Sequence, residues 1–124
     1  MKKYTTKDSG KRAEFSTGMV RDTDDNKPRF DLLFPKDIPY KEQLLTRFAE
    51  LMSRGAKKYT ERNWEKANSK EELERFKSSA LRHLLQWFNG EEDEDHAVAV
   101  MFNLMGAEYV KTKLDKCSKG NSKR

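Results

Sequence analysis

Cysteine is all but missing from this chain. Its 124 residues hold one, Cys117, near the C-terminal end. A single thiol excludes an intrachain disulfide and fits a reducing, cytosolic setting. Histidine is scarce as well. His83 and His96 are the two present, and with one distant cysteine they show no zinc-ligand spacing. Glycine numbers six and proline three. No Walker-type glycine loop, nucleophile elbow or dinucleotide fingerprint is written in the chain. Long apolar runs are missing too. The longest, Ala97 to Met105, is interrupted by Asn103 and is too short to span a membrane. The N-terminus is polar and reads as no signal peptide, so a cytoplasmic location is expected.

Charge is what the chain has in quantity. Charged residues make up 38% and apolar residues 35%, so the core is small for the length. Met1 to Glu14 carries a net +3 and Lys111 to Arg124 a net +5, which leaves −3 on the residues between, from a total of +5. The basic character therefore belongs to the ends. Residues 1–14 and 114–124 read as disordered basic tails, and residues 15–113 as a single domain. A mildly acidic body argues against a specific nucleic-acid site.

Between the tails the pattern is helical. Residues 15–33 hold two short β-capable runs, Gly18 to Arg21 and Arg29 to Leu33, around an Asp-Asp-Asn cluster. They predict a loose hairpin or extended arm, anchored by Phe30, Leu32 and Leu33, with Arg21 and Arg29 turned toward a phosphate. Leu44, Leu45, Phe48, Leu51 and Met52 recur at helical spacing. They predict a helix from about Tyr40 to Arg54, closed by Gly55. Ser69 with Glu72 is a capping box. It opens a second helix, from about Lys70 to Phe88, whose stripe is Leu73, Phe76, Ala80, Leu81, Leu84, Leu85 and Phe88. Asn89-Gly90 ends it. A third helix, from about Asp93 to Lys113, is apolar on two sides, and a second subunit is the expected cover for one of them. The fold class is all-α: a small antiparallel helical bundle of about three main helices, with an N-terminal arm or hairpin, completed by dimerisation.

The acid run is the first chemical signal. Glu91, Glu92, Asp93, Glu94 and Asp95 follow one another directly before a buried helix. Carboxylates beside a core need protons, partners or a metal. Glu92 and Asp95, three apart, present two carboxylates to one point, and His96 and Asn103 continue a polar line up the same face. Magnesium takes a few carboxylates plus water and phosphate oxygens. The ordinary alternative is a set of helix N-terminal acids complementing the dipole beside a solvated loop. Arg82 and His83 form a second signal. His83 is either a core-edge histidine satisfied by hydrogen bonds or a contact to the acids or a phosphate. The third is Gly55 to Trp64. Lys57, Lys58 and Arg62 suit a triphosphate, Tyr59 or Trp64 can stack a base, and Asn63 can read a base edge. Its alternative is a basic loop with Trp64 plugging the core.

Taken in order, KPRFDLL, GAKKYTERNW, ALRHLLQWFNGEE and DHAVAVMFN resemble the phage and bacterial dATP/dGTP diphosphohydrolase family, related to the MazG-like all-α NTP pyrophosphohydrolases. The resemblance runs from about Thr17 to Tyr109. It implies an oligomeric all-α enzyme that hydrolyses a deoxynucleoside triphosphate to the monophosphate and pyrophosphate with Mg²⁺, or with Mn²⁺. Its GE pair falls on Gly90-Glu91, the following acid on Asp95, and the His and Asn of the last helix on His96 and Asn103. Its KY and NW pairs fall on Lys58-Tyr59 and Asn63-Trp64. The chain departs from the pattern in two ways. The loop after the GE pair is compressed into the acid run. Of the two E-x-x-E/D pairs of MazG-like enzymes, Glu92-x-x-Asp95 matches the second, and the one upstream match, Glu71-x-x-Glu74, sits beside the capping box.

The site implied is then as follows. Glu91, Glu92 and Asp95, with Glu50 or Glu91 completing the shell, hold the metal and do the catalysis. Arg29, Lys57, Lys58 and Arg82 stabilise the β and γ phosphates. Tyr59 and Asn63 select the base, and His83, His96 and Asn103 join the substrate contacts. A homodimer or homotetramer with a dNTP substrate is expected, with no membrane and no specific nucleic acid. Two other classes fit the residues: a non-catalytic helical module that holds nucleotides or a partner protein, and a small nucleic-acid-binding protein acting through its tails.

Overall fold

The computed structural model describes residues 3–23 and 26–122, with side chains to residue 117. Asp24 and Asp25 of the expected turn cluster, and the ends of both expected tails, lie outside the described residues. The chain divides into two compact units, Met1–Leu33 and Phe34–Arg124.

In the first unit, β1 (Arg12–Glu14) pairs antiparallel with β2 (Val20–Asp22), Arg12 opposite Asp22 and Glu14 opposite Val20. Gly18 makes the connection possible. Its φ of +88° is left-handed backbone, and its amide donates to the Phe15 carbonyl at 2.9 Å. The hairpin expected from the sequence therefore exists with a different partner. One strand comes from the segment read as tail, and Phe30–Leu33 is a 3₁₀ turn rather than a strand. A pair needs a tight turn between its strands, and Gly18 supplies one upstream of the Asp-rich cluster.

The second unit is helical. α1 spans Leu44–Lys58, α2 Lys70–Phe88 and α3 His96–Ser122, with short 3₁₀ turns at Tyr40–Glu42 and Asn63–Lys66. α2 and α3 form an antiparallel hairpin, and α1 packs on α3. The α2 start is the capping box read from the sequence: the Glu72 amide donates to Ser69 Oγ at 3.2 Å, and the Ser69 amide donates to Glu72 Oε1 at 3.2 Å. Its end is a turn through Gly90, at φ +80°. Phe76 of α2 meets Phe102 of α3 edge-on at 6.0 Å. Gly106 lets the helices close, because a β-carbon there would overlap the Phe76 ring. Trp64 meets Tyr109 edge-on at 5.1 Å, and Lys113 Nζ donates to the carbonyls of Glu65 and Ala67 at 2.6 and 3.1 Å. These contacts fasten the Asn63–Lys66 turn to α3.

Four helix boundaries differ from the sequence reading. α1 begins at Leu44 and runs through Gly55 to Lys58, so Gly55 lies inside the helix and Tyr59 ends it, its amide donating to the Gly55 carbonyl at 2.9 Å. α3 begins at His96, because the acid run belongs to the turn, and it continues to Ser122. The α2 stripe also divides. Ala80 and His83 are buried, whereas Leu81, Leu84, Leu85 and Phe88 are exposed. Val98 and Val110 of α3 are fully buried within the one chain, and Leu104 is exposed. Of these two helices, α2 thus carries more of the uncovered apolar surface than α3, the helix expected to need a second subunit.

Candidate active site

Three segments of the second unit border one cleft of about 480 Å³. The last turns of α1 bring Arg54, Gly55, Lys58 and Tyr59; the middle of α2 brings Arg82 and His83; the acid turn and the start of α3 bring Glu94, Phe102 and Asn103. That volume falls within the range of about 300–1,000 Å³ usual for small-ligand sites. The cations Arg54, Lys58 and Arg82 share it, with Lys58 Nζ 5.2 Å from the centre of the Tyr59 ring. A smaller, mostly apolar cavity of about 190 Å³ shares Gly55, Tyr59 and Phe102 with the cleft and adds Asn63 and Trp64.

A hydrogen-bonded chain crosses the cleft wall. Arg82 Nη2 lies 3.4 Å from His83 Nε2, His83 Nδ1 2.9 Å from His96 Nδ1, and His96 Nε2 2.7 Å from Asp93 Oδ1. The ends assign the protons. A guanidinium only donates, so His83 Nε2 accepts; a carboxylate only accepts, so His96 Nε2 donates. His83 Nδ1–H then donates to His96 Nδ1. Burial, reinforced by Arg82, holds the His83 pKa below its ordinary value. The His96 hydrogen bond holds that of Asp93 down.

Asp95 has another partner. Arg47 of α1 donates to it through Nε at 2.8 Å and Nη2 at 2.7 Å. This bidentate pair depresses the Asp95 pKa, with help from the Val98 amide, as expected of a residue at the start of α3.

The structure therefore gathers Lys58, Tyr59, Arg82, His83 and Asn103 into one cleft, with His96 buried behind His83 and Asn63 in the adjoining cavity. Asn103 donates its side-chain amide to the Ala99 carbonyl at 2.8 Å. Lys57 is exposed and outside the lining, and Arg29, in the first unit, pairs with Asp31 at 2.7 Å. The expected metal acids do not converge. Glu50, Glu91 and Glu92 are exposed, and Asp95 holds Arg47. The sequence reading missed Arg47 and Arg54, and it named Asp93 and Glu94 in the acid run without giving either a role in the site. A helix was expected to include the acids, which favoured the spacing of Glu92 and Asp95; because the helix starts later, residue 94 reaches the cleft instead.

Residues 17–117 match the family described as dATP/dGTP diphosphohydrolase, N-terminal. The chain belongs to this family. No curated protein and no solved structure matches it. The name of the dATP/dGTP diphosphohydrolase family implies a hydrolase whose substrate is a nucleotide. Among the described residues, no helix is long and apolar enough to cross a membrane.

Proposed function

We propose that the chain hydrolyses a purine deoxynucleoside triphosphate, dGTP or dATP, to the monophosphate and pyrophosphate. The observation that carries this reading is a cleft bordered by Arg54, Lys58 and Arg82 that shares walls with an apolar recess holding Tyr59, Asn63 and Trp64. The recess suits a flat base, which an aromatic face can stack and an amide can read. The cations suit the β and γ phosphates, whose negative charge grows as pyrophosphate departs. Water attacks the α phosphorus in line, the bond from that phosphorus to the bridging oxygen breaks, and the water proton passes to a turn carboxylate. Glu91 and Glu92, exposed on the same turn as Glu94, are the acids we assign to that role.

The family resemblance implies magnesium, which prefers an octahedron of oxygens. Glu50, Glu91, Glu92 and Asp95 do not form such a shell, so the residues present do not fit it, and the steps above use protein groups alone. We also propose a homodimer or homotetramer. Leu81, Leu84, Leu85 and Phe88 lie at i, i+3, i+4 and i+7 on α2 and are all exposed, an apolar stripe that a second copy would cover.

A panel of eight NTPs and dNTPs, assayed with Mg²⁺ and with Mn²⁺, tests the reaction. Release of pyrophosphate and a purine deoxynucleoside monophosphate is expected. Diphosphate plus phosphate, or binding without turnover, would overturn it.

A further inference from the structure

The two histidines of the chain are both buried, and the phosphate chemistry above uses neither ring. Among the described residues, His83, Glu94 and His96 offer ligand atoms that all lie within 4.8 Å of one another. Residues 83 and 96 are 13 apart in sequence, and the turn between α2 and α3 brings their Nδ1 atoms to 2.9 Å. Two nitrogens bound to one ion at about 2.0–2.1 Å stand about 2.9 Å apart when the bonds are perpendicular, and about 3.4 Å apart at the tetrahedral angle. Asp93 accepts from the other nitrogen of His96 at 2.7 Å. That is the carboxylate–imidazole arrangement that orients a metal-bound histidine. His83 and Glu94 border the cleft and His96 lies behind them, so the remaining coordination positions face the cleft.

We propose that His83 Nδ1, His96 Nδ1 and a Glu94 carboxylate oxygen bind one first-row transition ion, from manganese to zinc, in preference to magnesium. Two imidazole nitrogens with one carboxylate suit those ions, whereas magnesium favours an all-oxygen shell. Binding moves the His83 proton from Nδ1 to Nε2, with none released from that ring, and Arg82 swings away from Nε2 into the cleft. Because the cleft is the one assigned to the triphosphate, the proposal rests on that reading for its role in hydrolysis, but not for metal binding itself.

The test is titration of the metal-free chain with Co²⁺ alone, followed by visible absorption and calorimetry, and then with Mg²⁺. One Co²⁺ per chain is expected, bound roughly 100-fold more tightly than Mg²⁺. Glu94→Gln, at an exposed position, should weaken Co²⁺ by at least about tenfold, and Asp93→Asn by about 10–100-fold, with the helical signal intact. No stoichiometric Co²⁺ uptake, or the same affinity in both variants as in the wild type, overturns the site. Pyrophosphate release in the same samples separates the two readings. Uptake that responds to the variants, without hydrolysis, supports the site and removes the hydrolase. Undiminished hydrolysis by a chain that takes up no Co²⁺ removes the site and leaves the hydrolase.

Discussion

Asp95 shows how one side chain can satisfy a sequence pattern for a different reason. Its position at the end of an acid run suggested a metal ligand; in the structure it starts α3 and receives both hydrogen bonds from Arg47. Asp95→Asn keeps a capping oxygen and loses the ion pair. It should cost about 1 kcal/mol, since charge-assisted bonds are worth more but this pair is partly exposed. Asp95→Ala loses the cap as well and should cost about 2 kcal/mol. The Asp95 pKa is lowered, first by the Arg47 hydrogen bonds. The pair therefore contributes fully above the ordinary carboxylate value of about 4, and its contribution disappears as pH falls through the depressed folded value. Urea unfolding curves of wild type and Asp95→Asn should differ at pH 7 and converge in acid. Loss of pyrophosphate release in Asp95→Asn with no loss of stability would return the residue to the metal shell.

At the scale of helices, two glycines have opposite meanings. Gly106 is required by packing, because a β-carbon would strike Phe76. Gly106→Ala should destabilise by about 1–3 kcal/mol, and Phe76→Leu in the same chain should recover part of that. Denaturant midpoints of both variants check the contact. Gly55 is in α1 and borders the cleft, and a β-carbon there would meet nothing within 4 Å. Alanine is better than glycine inside a helix by about 1 kcal/mol. Gly55→Ala should therefore raise stability while narrowing the cleft, seen as a higher midpoint with a higher KM for the nucleotide. An unchanged KM would mean that substrate does not approach this wall. The same glycine misled the sequence reading, which ended the helix there. Ala56, Lys57 and Lys58 are good helix formers and carry α1 past it.

Across the whole molecule, the apolar stripe of α2 has no cover within the chain. Burying a leucine of this kind contributes on the order of 2 kcal/mol, so an interface along the stripe has a physical drive. Leu85→Glu places a charge at its centre and should shift the proposed oligomer to monomer in sedimentation experiments, leaving the buried Val98 and Val110 undisturbed. A monomeric wild type at the same concentration would overturn the oligomer.

How far each feature could be read follows from the distance over which it is decided. α2 was legible to the residue, because the Ser69–Glu72 capping box and the Asn89-Gly90 stop are local chemistry. The family could be read from four motifs in order, since the motifs are themselves stretches of sequence. The sequence by itself determined the helical class, the α2 limits and the cations available to a phosphate. Only the tertiary structure decided that Arg47 meets Asp95 across 48 positions, that His83 meets His96 across 13, and which side of α2 is covered. Periodicity records that a face is apolar or polar, whereas what lies against that face depends on how the helices dock.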